Sequence, residues 1–158
     1  MPVQCFEDAV ERIQWYRCRW HIEVFFKVLK SGCRIEACRL RTASRLIRFL
    51  ALCSIIAWRL FWITQLNRHC PDTPCTAMLT EHEWQALYAQ IHRVTALPTQ
   101  VPTVRQAVRW IAQLGGFLAR KRDGEPGVTV IWRGWQRLQD IASIWLLARF
   151  PTEQPTCG

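Results

Sequence analysis

A mostly α-helical fold is what this sequence predicts, and three observations carry the prediction. Apolar residues recur every three to four positions along most of the chain, period-two alternation is weak, and helix-starting and helix-stopping residues bracket the periodic runs. With 158 residues, 50% of them hydrophobic and 21% charged, the chain has enough apolar material for one ordinary core and a small second lobe.

The elements follow in order. A first helix is expected over about Phe6 to Lys30, closing at Ser31-Gly32, where glycine can take the left-handed conformation. A second occupies about Thr42 to Arg68 and stops before Pro71-Asp72-Thr73-Pro74, whose two prolines mark the clearest boundary in the chain. Thr80 with Glu83 forms a capping-box pattern, starting a helix that carries Trp84, Leu87, Tyr88 and Ile91 on one side. Pro98 and Pro102 break the chain again. From Thr103 a helix carries Val104, Val108, Ile111 and Leu114, and Gly115-Gly116 either ends it or admits a closely packed neighbour. Arg120 to Gly127 is a charged turn, and a last helix from about Trp132 to Phe150 repeats Trp135, Leu138, Ile141 and Trp145 before Pro151 stops it. The domains expected are 1–70, 71–151 and a disordered tail at 152–158.

Composition narrows the partners. Lys+Arg 21 against Asp+Glu 12 leaves a formal charge of +9, which suits a polyanion such as nucleic acid or an acidic surface. The N-terminus carries Glu7, Asp8 and Glu11 where an export signal would need a basic start and an apolar stretch. Leu46 to Leu66 is apolar but interrupted by Arg48 and Arg59, with ten uncharged residues between them where a membrane span needs about twenty, so it reads as a buried helix. The expected location is the cytoplasm, with no membrane partner. Eight cysteines contain no C-x-x-C pair; Cys33 with Cys38, and Cys70 with Cys75 beside His69, leave a metal site conceivable but without the usual knuckle pattern. Cys53 reads as a small buried hydrophobe in a reducing compartment.

The segment Trp15 to Lys30 carries the chemistry. At about 100° per residue, Tyr16, Arg19, Glu23, Lys27 and Lys30 project within roughly an 80° arc, while Cys18, Ile22, Phe25 and Leu29 cluster on the opposite side, which is expected to face a core. Read plainly, this is a solvated amphipathic helix with Glu23 paired to Lys27 and Arg19. Read chemically, one carboxylate flanked by cations and a phenol suits a phosphodiester, with the carboxylate on a divalent metal and the other groups on phosphate oxygens.

The spacing Tyr16, Arg19, Glu23, Lys30 resembles the Tyr-Arg-Glu-Lys signature of the insertion-sequence-four family of DDE transposases, and Arg19-Trp20-His21-Ile22-Glu23 looks like the core of that signature. The resemblance implies that Glu23 is the third acidic residue of the triad and a ligand for Mg²⁺ or Mn²⁺ in an RNase H-like core. It implies that Tyr16, Arg19, Lys30 and, with them, Lys27 contact phosphates of transposon DNA ends. Gln106 to Arg120 and the helix around Trp132 to Leu138 resemble the helical region through which such transposases dimerise. The fold expected is thus a helical fragment of an RNase H-like transposase core followed by a small all-α dimerisation region.

Two-metal phosphoryl transfer needs several converging carboxylates, and the family's two aspartates lie on strands upstream of this helix. Fifteen residues precede Tyr16, too few for that sheet, and Asp72, Asp123, Glu125 and Asp140 read as solvated or capping acids. The expectation is the C-terminal piece of a cut-and-paste transposase, without strand cleavage of its own, that forms a homodimer or a heterodimer with an intact transposase. Two alternatives stand beside it: a dimerising inhibitor of the intact enzyme, and a basic helical DNA-binding module in which the signature is coincidence. Further along, Arg34, Arg39, Arg41, Arg45 and Arg48 would extend the positive surface. Trp132, Trp135 and Trp145 are core candidates that could also serve a subunit contact, His21 is placed near DNA, and His69, His82 and His92 are read as surface residues.

Overall fold

The structure is a computed structural model that describes residues 5–33, 35–120 and 122–149. Among the described residues there are five α-helices: α1 (Phe6–Lys27), α2 (Ala43–His69), α3 (Glu81–His92), α4 (Val104–Leu114) and α5 (Val128–Arg149). Among the described residues there is no strand, only an isolated antiparallel bridge between Pro74 and Thr103. The chain divides into two compact units at Trp62/Ile63, inside α2. Arg34, Phe150 and the tail expected at 152–158 lie outside the described residues.

In the first unit, α1 starts where expected, with the Cys5 Sγ accepting from the Asp8 N–H at 3.4 Å and Glu7 and Asp8 complementing the helix dipole. Its end differs from the expectation. Regular α-helix stops at Lys27, and Val28–Gly32 form a π turn closed by the Cys33 N–H donating to the Val28 carbonyl at 3.0 Å. Gly32 is not among the residues with positive φ, so the wider turn ends the helix rather than a left-handed glycine. A short 3₁₀ turn, Ile35–Ala37, follows.

Two burial expectations for this unit are corrected. No residue of α1 is buried: Cys18 and Ile22 are exposed and Phe25 is half-buried, so the apolar side faces no core, whereas Val28 and Leu29 in the π turn are buried. Nor is α2 a buried helix. Its 27 residues are long and apolar enough to cross a membrane by length and composition, but only 22% of the apolar window is buried. Ile47, Ile55 and Trp58 are each about 60% exposed or more (66%, 64% and 59%).

The second unit closes on itself. Glu83, 6% exposed, accepts from the Thr80 N–H at 2.8 Å and from Thr80 Oγ1 at 2.8 Å, completing the capping pattern read in the sequence. The other carboxylate oxygen accepts from Gln139 Nε2 of α5 at 2.8 Å, so a cap residue also ties α3 to α5. Thr103 caps α4: its hydroxyl accepts from the Gln106 N–H at 3.3 Å and its N–H donates to Gln106 Oε1 at 2.9 Å. Two further donors in the first turn of α4 find carbonyls in the proline turn, Val104 N–H to Thr73 at 2.8 Å and Arg105 N–H to Pro71 at 3.0 Å.

Helices α4 and α5 pack most closely. Val104, Ala107, Val108 and Ile111 of α4 and Leu138 of α5 are fully buried, with Ile131 nearly so. Both readings of Gly115-Gly116 hold. Gly116 takes φ 97°, ending the helix, while a Cβ on Gly115 would collide with the Val130 carbonyl of α5. Gly134 in the middle of α5 mirrors it, since a Cβ there would strike the Ile111 carbonyl. The Arg137 guanidinium donates to the Leu114 carbonyl at the exposed C-terminal end of α4. Helix α5 begins at Val128, earlier than the expected Trp132, with the Gly127 carbonyl accepting from Val130 and Ile131 at 3.2 Å each.

Candidate nucleic-acid interface

The site expected on the first helix is Tyr16, Arg19, Glu23 and Lys27 on α1 with Lys30 in the π turn. Helical spacing brings the first four to one edge, and all five are exposed. Arg19 holds the group together. Its guanidinium lies 3.6 Å from the Glu23 carboxylate, one turn on, and 5.6 Å from the centre of the Tyr16 ring, one turn back. The Glu23 side chain keeps 47% of its accessible surface, so the carboxylate is turned to solvent.

Lys30 departs from the ridge as the sequence drew it. Constant 100° spacing would bring it back beneath Lys27, but a π turn rotates each residue less. Its ammonium pairs with Glu36 of the following 3₁₀ turn at 3.2 Å. Glu36 was not legible as a partner, because it lies six residues beyond Lys30 on a separate 3₁₀ turn. The structure therefore brings together Tyr16, Arg19 and Glu23 by direct contact, with Lys27 on the same helix edge and Lys30 in a neighbouring ion pair.

A divalent ion of the magnesium type takes about six oxygen ligands, and Glu23 supplies at most two. Among the described residues no group of three His, Cys, Asp or Glu side chains converges. These residues do not by themselves make a metal site. The arrangement offers instead an exposed carboxylate on a helix edge that already carries phosphate-binding chemistry: a guanidinium, a phenol and an ammonium.

The surroundings extend this character. Arg39, Arg41, Arg45 and Arg48 are all exposed. His21, expected near DNA, sets its ring edge-on to Phe61 of α2 at 5.2 Å. Two of the three remaining histidines have partners the sequence did not show: His82 hydrogen-bonds Thr80 Oγ1 at 3.3 Å, and exposed His92 packs on Tyr88 (4.3 Å) and Trp110 (5.0 Å).

Of the tryptophans considered for a subunit contact, Trp135 is buried and Trp132 and Trp145 are half-buried, the last under the Arg149 guanidinium at 4.7 Å. The most open large apolar side chains of α5 are Ile144, 67% exposed, and Leu147, 64% exposed, with Leu146 at 40%. Ile144 and Leu147 lie one helical turn apart near its end. Comparison with known families gives two matches. The model of the transposase Tn5 dimerisation domain matches residues 55–155, more than half of the chain, and that of the transposase DDE domain matches residues 7–60.

Proposed function

Because the chain belongs to the family of the Tn5 transposase dimerisation domain, with a transposase DDE segment ahead of it, we propose that its first helix serves strand cleavage and transfer at transposon ends. In this reading Glu23 is the third acidic residue of the insertion-sequence-four type of active site. It contributes one carboxylate to a Mg²⁺ or Mn²⁺ centre whose other carboxylates lie outside the helix. Tyr16, Arg19, Lys27 and Lys30 hold phosphates of the DNA end. The supporting observation is the exposed contact of Tyr16, Arg19 and Glu23 along one edge of α1, with the carboxylate turned outward.

The domain boundary proposed lies around residue 70, after α2, with self-association assigned to residues 71–151. Ile144 and Leu147 are better placed for a subunit contact than Trp135, because their surface is still open. A cut-and-paste element acting in the cytoplasm is the setting this implies.

Glu23→Gln in a full-length transposase carrying this sequence tests the reading. Loss of Mn²⁺-dependent nicking with DNA binding retained supports it, and retained nicking rejects it. A second reading rests on the closed core of the second unit. Through that unit, which has its own caps and buried layer, the chain pairs with a complete transposase and blocks it. Co-expression that leaves transposition frequency unchanged rejects that reading.

A further inference from the structure

The loop between α4 and α5 encloses a second basic site, far in sequence from the Tyr16 to Lys30 ridge. A cleft of about 340 Å³ is lined by Arg109 of α4 and by Ala119, Arg120, Gly124 and Glu125 of the loop. Arg120 is tied to Asp123 by two hydrogen bonds. Asp123 accepts from the Arg120 N–H at 2.8 Å, and its own N–H returns to the Arg120 carbonyl at 3.0 Å. Ala119 sits at φ 53°, a left-handed conformation that costs a non-glycine residue energy and persists only when its surroundings impose it. The one acid in the cleft is already engaged: Glu125 accepts from Asn67 Nδ2 at 3.0 Å and lies 3.9 Å from Arg105 Nε. Arg109 and Arg120 therefore face a cleft whose carboxylate is largely spoken for by Arg105 and Asn67.

We propose that this cleft binds a phosphate group, with Arg109 and Arg120 as the ligating guanidiniums and Glu125 as a restraint on affinity. Guanidinium groups match phosphate oxygens in geometry as well as charge, and a rim held in advance by its own hydrogen bonds loses little order on binding. Two sources share this chemistry, the backbone of DNA and a free phosphate or nucleotide. The sequence carried a faint signal for it. Arg105 and Arg109 stand one turn apart on α4, a helix with no acidic residue, and Arg120 opens the charged turn.

The purified chain is titrated with a fluorescein-labelled DNA duplex of arbitrary sequence, followed by anisotropy between 50 and 200 mM salt, and separately with inorganic phosphate by calorimetry. Arg109→Gln and Arg120→Gln each reduce the slope of log affinity against log salt by about 0.9 if the cleft holds a DNA phosphate. Arg133→Gln, which removes an equal charge from the exposed side of α5, sets the background. Loss of phosphate binding in both cleft variants, with the DNA slope at that background, assigns the cleft to a free anion. Glu125→Gln guards against unfolding as an explanation, because it raises affinity for at least one probe above the rise given by Glu81→Gln, a surface acid. Unchanged affinities for both probes in all three cleft variants overturn the proposal.

Discussion

Gly134→Ala measures how tightly α4 and α5 cross, and two opposing effects fix its sign. In an open helix the substitution stabilises by about 1 kcal/mol, since glycine is a poor helix former. Here the added Cβ meets backbone: besides the Ile111 carbonyl oxygen, it comes within 2.6 Å of the Ile111 carbonyl carbon and 3.1 Å of the Gly115 nitrogen. No rotamer relieves such contacts. Ordinary contact is 3.4–4 Å, and the Ile111 carbonyl oxygen falls furthest short of it, so the helices must part by more than about 1 Å, which forfeits about half or more of the dispersion energy between facing atoms. Ile111, Val108, Ile131 and Leu138 make up that buried layer. Overpacking of this kind costs about 1–3 kcal/mol and sometimes more. A net loss of about 2 kcal/mol is expected, or a fall in Tm on the order of 10 °C for a unit of this size. Thermal unfolding followed by circular dichroism reads it. Gly127→Ala, with nothing within 4 Å of the new Cβ, serves as the control and should change Tm by a few degrees at most. A Tm raised by Gly134→Ala would refute the close crossing.

Three further outcomes are expected. Glu83→Ala strands the Thr80 N–H and Gln139 Nε2 around a buried site, and urea unfolding should show a loss of about 3 kcal/mol. Arg19→Ala breaks an exposed ion pair with Glu23 and an exposed contact with the Tyr16 ring, so stability should change by about 1 kcal/mol at most while affinity for DNA falls; a large drop in Tm would mean that Arg19 is structural. Burial raises the Cys75 thiol to about 11, and burial with the neighbouring Cys53 does the same for Cys33, against an ordinary value of 9.0. The unfolded chain then loses these protons first, so the contribution of both thiols to stability is intact below pH 9 and disappears as pH rises towards 11. Iodoacetamide should accordingly label exposed Cys5, Cys18 and Cys70 before Cys33 and Cys75 at pH 8, a ranking that mass spectrometry checks.

Features written in local chemistry were legible in the sequence. Thr80 with Glu83, the proline turn after α2 and the glycine pair after α4 each act within a few residues, and each appears where it was read. Features set by distant packing were not. The π turn at Val28–Gly32 breaks the assumption of uniform rotation on which the placement of Lys30 rested. The start of α5 was missed because Val128-Thr129-Val130-Ile131 is a run of β-branched residues, poor helix formers that read as strand or loop. Gly134 did leave a trace, since a glycine inside a helical run usually has a packing reason, and α4 supplies it. For α2 the apolar pattern was correctly read as helical, but local periodicity does not say whether a partner covers it.

The difference between the two units bears on how Glu23 can act. The second unit has caps, satisfied helix ends and a buried layer of its own, so its geometry is set internally. Helix α1 has no buried residue, and Ile22 opposite the ridge is 55% exposed. An exposed ion pair at 3.6 Å is worth less than about 1 kcal/mol, too little to hold a carboxylate within the roughly 0.5 Å that a catalytic ligand needs. Positioning of Glu23 must come from whatever covers the apolar side of α1. Any cleavage activity should therefore depend on the packing of Ile22 and Phe25 as steeply as on the carboxylate itself. Ile22→Ser in a full-length transposase should depress nicking while leaving the Arg19 and Tyr16 side chains proposed to hold phosphates chemically intact. Full nicking by that variant would show that the ridge positions itself.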